Sequence, residues 1–357
     1  MITRGEISGW LKESDAGRLE KLWRMADTAR SRSVGDEVHL RGLVEISNYC
    51  VRRCTYCGIR SGRGGLRRYR MGMDEILACA RQAVEFGYGT IVLQSGEDPG
   101  LEAHWVEELT ARIKSETPLA VTLCLGERSC EEYAAWRAAG ADRYLLKFET
   151  SNAELFRRIH PPLHGEGNNR VAVLKRLREL GYEIGSGVMI GIPGQTFEDL
   201  ANALVLFQRL ELDMIGSGPY IPHPDTPLGT ETAAHGAAAE QVPNDALTTC
   251  KVIALTRLLC PWANIPATTA LATIDEVSGL EAGLGCGANV VMPGLTPPEY
   301  TGLYDIYPSR ERDGRGAAEN DAALKQRITA IGRRVGTGRG DASRCTNIRA
   351  CCEGRMQ

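Results

Sequence analysis

Apolar residues along this chain fall into two alternating patterns. Short runs occur at His39 to Ile46, Thr90 to Leu93, Ala120 to Leu125, Arg143 to Phe148, Gly187 to Ile190, Met214 to Ser217, Asn264 to Ala267 and Asn289 to Met292. Their lengths and content are those of β-strands. Between them lie stretches with apolar residues at helical spacing: Met73 to Phe86, Glu102 to Lys114, Cys130 to Ala138, Asn169 to Leu180, Glu198 to Leu210 and Asp245 to Leu259. Eight strand candidates alternating with helices predict an α/β fold with a parallel sheet. A closed (βα)8 TIM-type barrel is the simplest count, and an open doubly wound sheet is the rival. Polar motifs at the C-terminal ends of nearly every strand favour the barrel, whose sites are built there.

Three regions follow from this pattern. Residues 1–38 form an N-terminal helical segment, with Ile7, Trp10, Leu11, Leu19, Leu22, Trp23 and Met25 as the apolar positions of a helix over 6–33 that packs as a lid or plug. Residues 39–308 form the barrel. Residues 309–357 form a helix, over Asp321 to Arg334, and a Gly/Arg-rich tail whose last 20 or so residues read as flexible.

Composition narrows the setting. The chain has 357 residues and a net charge of −3, which gives no whole-chain case for nucleic-acid or membrane partners. The N-terminus lacks the apolar run of a signal peptide, so a cytoplasmic protein is expected. Twelve cysteines in that setting point to reduced thiols and metal ligation rather than disulfides. Cys79, Cys124, Cys250, Cys260 and Cys286 read as small buried hydrophobes, and Cys345, Cys351 and Cys352 as exposed thiols.

Cys50, Cys54 and Cys57 stand apart, in the run Asn48-Tyr49-Cys50-Val51-Arg52-Arg53-Cys54-Thr55-Tyr56-Cys57-Gly58. Three thiolates at this spacing can ligate three irons of a [4Fe-4S] cluster and leave the fourth open to a small molecule. A zinc knuckle is the alternative, but zinc sites pair such a motif with a second pair of Cys or His. A basic stretch follows, Arg60, Arg63, Arg67, Arg68 and Arg70, read as neutralising an anionic cluster and sealing its site. Further candidates end strands or open helices: Gln94-Ser95-Gly96-Glu97-Asp98-Pro99, Glu149, Arg170 and the Gly191-Ile192-Pro193-Gly194 turn.

With Tyr56 directly before the last cysteine, the motif resembles that of the radical S-adenosylmethionine (SAM) enzymes. The resemblance implies a [4Fe-4S] cluster on Cys50, Cys54 and Cys57, with SAM on its open iron. It also implies cofactor contacts at Tyr56, Gln94, Ser95, Gly96, Glu97, Glu149, Arg170, Gly191 and Gly194. Ser95, Gly96 and Glu97 would take the methionine ammonium, Arg170 would clamp its carboxylate, and the glycines would admit the adenine side.

QSGEDP (94–99), ADRYLL (141–146), IPHPDTPL (221–228), NIPATTA (264–270) and GANVVMPGLTPPEY (287–300) are similar to the HydE-type maturases of [FeFe]-hydrogenase. That similarity spans about residues 38–308. It implies a mononuclear iron complex of cysteine, carbon monoxide and cyanide as substrate. The matching cavity positions are Gln94, Ser95, Thr122, Met214, Thr268, Thr269, Met292 and Tyr304. It also implies other maturases and a ferredoxin-like electron donor as partners. Two departures stand out. Lys147-Phe148 replaces the family's Arg-His, which puts a bidentate carboxylate contact and the substrate itself in question. Residues 309–344 hold no cysteines for the second cluster of many members, so one cluster is expected. A methylornithine-synthase-like mutase, a non-catalytic iron-sulfur scaffold and an RNA-modifying radical enzyme are the rival readings.

Overall fold

The computed structural model describes residues 2–163, 169–234, 240–308 and 316–343. Cys345, Cys351 and Cys352 lie outside the described residues. Parallel strands Glu37–Ser47, Thr90–Ser95, Ala120–Cys124, Arg143–Leu145, Glu183–Ser186 and Met214–Ile215 pair in sequence order. Met214 bridges Asn264, Pro266 bridges Val290, and Val290–Val291 pairs with His39 and Leu40 of the first strand, so the ring closes. The count of eight strands holds, with an uneven build: long strands form the first half and two-residue segments and single bridges the second. Helices on the outside bury Ile76, Leu77, Val106, Leu109, Leu174, Leu177, Leu200 and Leu204 against it.

Two boundaries differ from the sequence expectation. The fifth barrel strand is Glu183–Ser186. The predicted Gly187 to Ile190 run instead supplies Met189–Ile190, which pairs with Gly218–Pro219 in a separate two-stranded sheet above the ring. The N-terminal helix is two, Arg4–Lys12 and Ala16–Val34. Glu13 caps the end of the first and Asp15 starts the second, its carboxylate accepting from Arg18 N at 2.8 Å as an N-cap. The first packs on the barrel's helices Phe197–Arg209 and Ala246–Leu259, and the second on Ala246–Leu259.

Of the tail expected to be flexible, residues 338–343 are described and are bonded to the barrel, and the rest lies outside the described residues. After the helix Ala317–Ala330, Arg334 and Val335 pair in parallel with Glu37 and Val38, and the chain then crosses the N-terminal end of the barrel as a strap. The Arg339 carbonyl accepts from Thr90 Oγ1 (2.8 Å) and Arg143 Nη2 (3.1 Å). The Gly340 carbonyl accepts from Arg41 Nη2 and Asn264 Nδ2, both at 3.0 Å. Arg143 lies between Glu183 (2.8 Å) and Asp341, and Arg339 reaches Asp142 at 2.5 Å. Charges point inward at this floor because the strap brings partners for them, which is the condition for burying an ion. No helix among the described residues is long and apolar enough to cross a membrane.

Candidate active site

The loop after the first strand carries Cys50, Cys54 and Cys57, all free thiols at the opposite end of the barrel from the strap. Its shape is set by polar braces rather than by regular structure. Asn48 donates to the carbonyls of Arg67 (2.9 Å) and Leu303 (2.7 Å) and accepts from Tyr69 N at 2.8 Å. The arginines that follow the motif bind the loop's own carbonyls. Arg60 takes Cys54 O at 3.0 Å, Arg63 takes Gly58 O at 2.9 Å, and Arg68 takes Asn48 O, Ile59 O and Arg60 O. Arg63 also pairs with Asp225 and Asp305, and Arg70 grips Asp98 with two bonds of 2.7 and 2.8 Å. The basic stretch is therefore a scaffold for the cysteine loop, while Arg67 stays exposed.

Burial pushes all three thiols up: Cys57 to about 12, Cys54 well above the usual range, helped by Cys57, and Cys50 upward too. Ligation of iron must displace these protons, so loading is tied to pH.

Facing the loop is an array of alternating charges. Glu97 pairs with Arg52, and Arg170 Nη2 stands 3.6 Å from the other Glu97 oxygen. Arg170 Nε donates to Glu127 at 2.9 Å, and Arg52 Nη2 lies 3.5 Å from the same carboxylate. Arg170 also donates to the Lys147 carbonyl at 2.6 Å. Burial works to raise the Glu127 carboxyl, but Arg170 and Arg52 outweigh it and hold it at about 2. For Glu97 burial wins, and its carboxyl is raised despite Arg52. Glu97, Glu127 and His160 converge to within 4.8 Å, yet two guanidiniums are threaded between them, so the set is a charge-balanced cradle rather than a cation site.

Two glycines make the cradle possible. A Cβ on Gly126, whose φ is +76°, would sit 1.9 Å from Glu97 Cγ. One on Gly96 would sit 2.2 Å from the Tyr49 carbonyl and 2.7 Å from Cys50 Cβ, so the motif after the second strand packs directly on the cysteine loop.

Glu149 is held in the left-handed region, φ 62°, with its amide donating to Gly187 O and its carbonyl accepting from Met189 N. A non-glycine residue there costs about 1–3 kcal/mol, a strain characteristic of functional sites. Its buried Oε2 has no hydrogen bond, and Lys147 Nζ stands 3.3 Å away, off the bonding direction. That orphaned oxygen, the neighbouring thiols and the guanidinium pair are the donor and acceptor set that a zwitterionic cofactor on an iron-sulfur cluster requires, so the residues fit that group.

The other expected residues are placed as follows. Gln94 Nε2 donates to Tyr304 Oη at 3.2 Å, joining two of them. Thr122 points inward with its buried hydroxyl unpaired. Ser95 donates to Gly96 O at 2.6 Å, and Glu97 O accepts from Val51 N at 2.9 Å, so these backbone oxygens already carry partners. Gly191 and Gly194 have positive φ but spend their amides on Gln195 and Gln241. Tyr56 and Met292 are half-buried, Thr268 caps the helix Thr269–Ile274, and Thr269 is exposed. Met214 does not join the mouth: its sulfur takes Arg41 Nη1 at 2.8 Å, with its Cε beside Gly185, so it packs toward the floor. Cys124 also differs from expectation, since it is half-buried on the inward face beside Lys147.

Sequence reasoning missed Arg52, Glu127 and His160. Glu127 had a signal: it follows a strand end, as do Glu97 and Glu149. His160, at the C-terminus of Ala153–Ile159 and followed by two prolines, had none.

Comparison with known proteins agrees with this geometry. Residues 44–207 match the model of the Radical SAM superfamily. The "[FeFe] hydrogenase maturase subunit HydE" of Thermotoga maritima is 47% identical over 309 residues, 87% of this chain and 85% of the relative. The 3-methylornithine synthase of Methanosarcina acetivorans is 29% identical over 87% of this chain and 86% of its own. In fold, the crystal structure of methylornithine synthase (PylB) superposes with a TM-score of 0.79 at 23% identity, covering 94% of each chain.

Proposed function

Because the chain belongs to the radical SAM superfamily and, within it, to the HydE family of [FeFe]-hydrogenase maturases, we propose that its barrel mouth holds a [4Fe-4S] cluster and SAM and acts on a mononuclear iron complex of cysteine, carbon monoxide and cyanide. Cys50, Cys54 and Cys57 ligate three irons. Arg170 takes the SAM carboxylate, Glu97 and the orphaned Glu149 oxygen receive its ammonium and ribose side, and Tyr56 and the Gly191–Gly194 turn border the adenine. Held there, a reduced cluster would supply the one-electron chemistry for cleaving the S–C5′ bond of SAM.

The protein's own part is positioning and exclusion of water. Buried arginines hold the carboxylates in fixed places, so the cofactor meets preformed charges rather than mobile ones. The Gln94–Tyr304 pair, Thr122 and Lys147 present donors to an anionic complex, and Thr268, Thr269 and Met292 complete the wall on the short-strand side. Electrons come from a ferredoxin-like donor, and the complex from a partner maturase. The observation that carries the reading is the convergence, at one end of the barrel, of one buried and two half-buried thiols with two guanidiniums and a buried Glu149 carboxylate oxygen that has no hydrogen bond and only Lys147 nearby.

The test is anaerobic reconstitution of the full chain with iron and sulfide, followed by SAM, dithionite and the synthetic iron complex, with paramagnetic resonance and 5′-deoxyadenosine followed together. A new iron-centred radical signal that needs both SAM and the complex is the expected result. Turnover of free lysine in place of the complex would turn the assignment to a mutase, and SAM cleavage indifferent to both would sink the substrate assignment.

A further inference from the structure

His160 touches the cysteine loop directly. Its Nδ1 lies 2.9 Å from Cys54 Sγ, and its Nε2 lies 3.0 Å from Arg170 Nη2. An arginine side chain has donors and no acceptor, so Nε2 must accept from Arg170. In a neutral imidazole with Nε2 accepting, the proton sits on Nδ1 and points at the cysteine sulfur. Glu127 Oε1, 3.6 Å from Nε2, lies beyond hydrogen-bond reach and takes Arg170 Nε at 2.9 Å instead. Arg170 therefore fixes the tautomer.

The ring cannot turn away from this arrangement. It is 1% exposed and stacks on Phe156 with centroids 5.1 Å apart. Its backbone amide donates to Phe156 O at 2.8 Å. The preceding carbonyl, of Ile159, accepts from Thr55 N at 2.8 Å, so the same helix end is bonded to the cysteine loop one residue on from Cys54.

We propose that His160 is a positioning residue that donates a hydrogen bond from Nδ1 to the Cys54 sulfur and thereby raises the reduction potential of the cluster that Cys50, Cys54 and Cys57 hold. A donor on a ligating sulfur draws off electron density and favours the reduced cluster, one of the recognised levers on iron-sulfur potentials. The inference rests on the cluster reading and is independent of the substrate.

The experiment uses the full chain reconstituted anaerobically with iron and sulfide, without SAM or substrate, so that its failure is separable from failure of the maturase assignment. In a redox titration followed by paramagnetic resonance, His160→Leu lowers the ratio of reduced to oxidised cluster at a given poise by roughly tenfold, the scale of one net hydrogen bond, a midpoint shift of about 59 mV for a one-electron couple. His160→Gln, which keeps an N–H donor, recovers most of it. A midpoint in His160→Leu equal to that of the unsubstituted protein overturns the proposal. Pulsed resonance on the unsubstituted protein with 15N-histidine gives a second reading that no folding defect can obscure. A weak nitrogen coupling to the reduced cluster, lost in His160→Gln, is the expected result, and no such coupling overturns the proposal.

Discussion

The floor and the mouth of this barrel are both built from inward-facing arginines and carboxylates, and they differ in what completes them. At the floor the chain supplies its own partner. The strap of residues 334–343 lays two carbonyls and Asp341 across Arg41, Arg143 and Asn264. Arg143 thereby gains two carboxylates and a carbonyl, and Arg41, drawn down to about 9 by burial and by Arg143, still has a carbonyl for one nitrogen. At the mouth, the guanidiniums of Arg52 and Arg170 are matched by Glu97 and Glu127, but Thr122 Oγ1 and Glu149 Oε2 are buried with no hydrogen bond, and Glu149 carries a strained backbone. The floor is not fully closed either, since Arg41 Nε and His39 Nδ1 are buried without a hydrogen bond; what sets the mouth apart is a strained Glu149 whose Oε2 has only Lys147, at 3.3 Å, beside it.

Substitutions at the two ends should therefore separate folding from chemistry. The largest effect is expected for Cys57→Ala. Iron content falls to the level of unliganded protein and 5′-deoxyadenosine formation to background, while the thermal midpoint of the apoprotein moves by only a few degrees, since a small side chain is lost. At the floor, Arg143→Ala leaves Glu183 and Asp341 without their shared cation and should cost about 3–5 kcal/mol in denaturant unfolding. Iron bound per folded molecule should stay unchanged. If the floor variant lost iron while remaining folded, the separation of the two ends would fail.

Arg170→Lys keeps the charge and loses the fork. Loss of one charged hydrogen bond, about 1.5–3 kcal/mol, should weaken SAM about 10- to 100-fold in titrations of the cluster-loaded protein. Glu127 gives the smallest effect and a pH signature. Its folded carboxyl is depressed from 4.5 to about 2, so its contribution is present above about pH 4.5 and lost as the pH falls toward 2. Unfolding free energy should drop by about 2 kcal/mol more between about pH 5 and pH 3 in the unsubstituted protein than in Glu127→Gln. Equal slopes would show that the carboxylate is not held by its guanidinium neighbours.

The barrel was legible in the sequence because strand runs and helical periods alternate cleanly over 39–292, and the cysteine loop because its spacing is tied to one chemistry. The fifth strand was misplaced for a physical reason. Glu183-Ile184-Gly185-Ser186 has one large apolar residue, since Glu183 faces Arg143 and Gly185 makes room for Met214. The adjacent Val188-Met189-Ile190 is the more strand-like run. The strap was hidden for the same reason: a Gly/Arg-rich segment reads as solvated, and its partners are charges inside the barrel. His160 and Arg52 could not be singled out because their roles depend on Cys54, Arg170 and Glu97, residues brought to them only by the closed ring.

A mouth with three thiols and a charged cradle should hold a cluster with one iron open to SAM. The most direct measurement is the paramagnetic resonance spectrum of the dithionite-reduced, reconstituted full chain with and without SAM, alongside assay of 5′-deoxyadenosine. The expected result is a spectrum altered by SAM and cleavage that disappears in Cys57→Ala. A fully loaded cluster whose spectrum ignores SAM, with no 5′-deoxyadenosine formed, would contradict it.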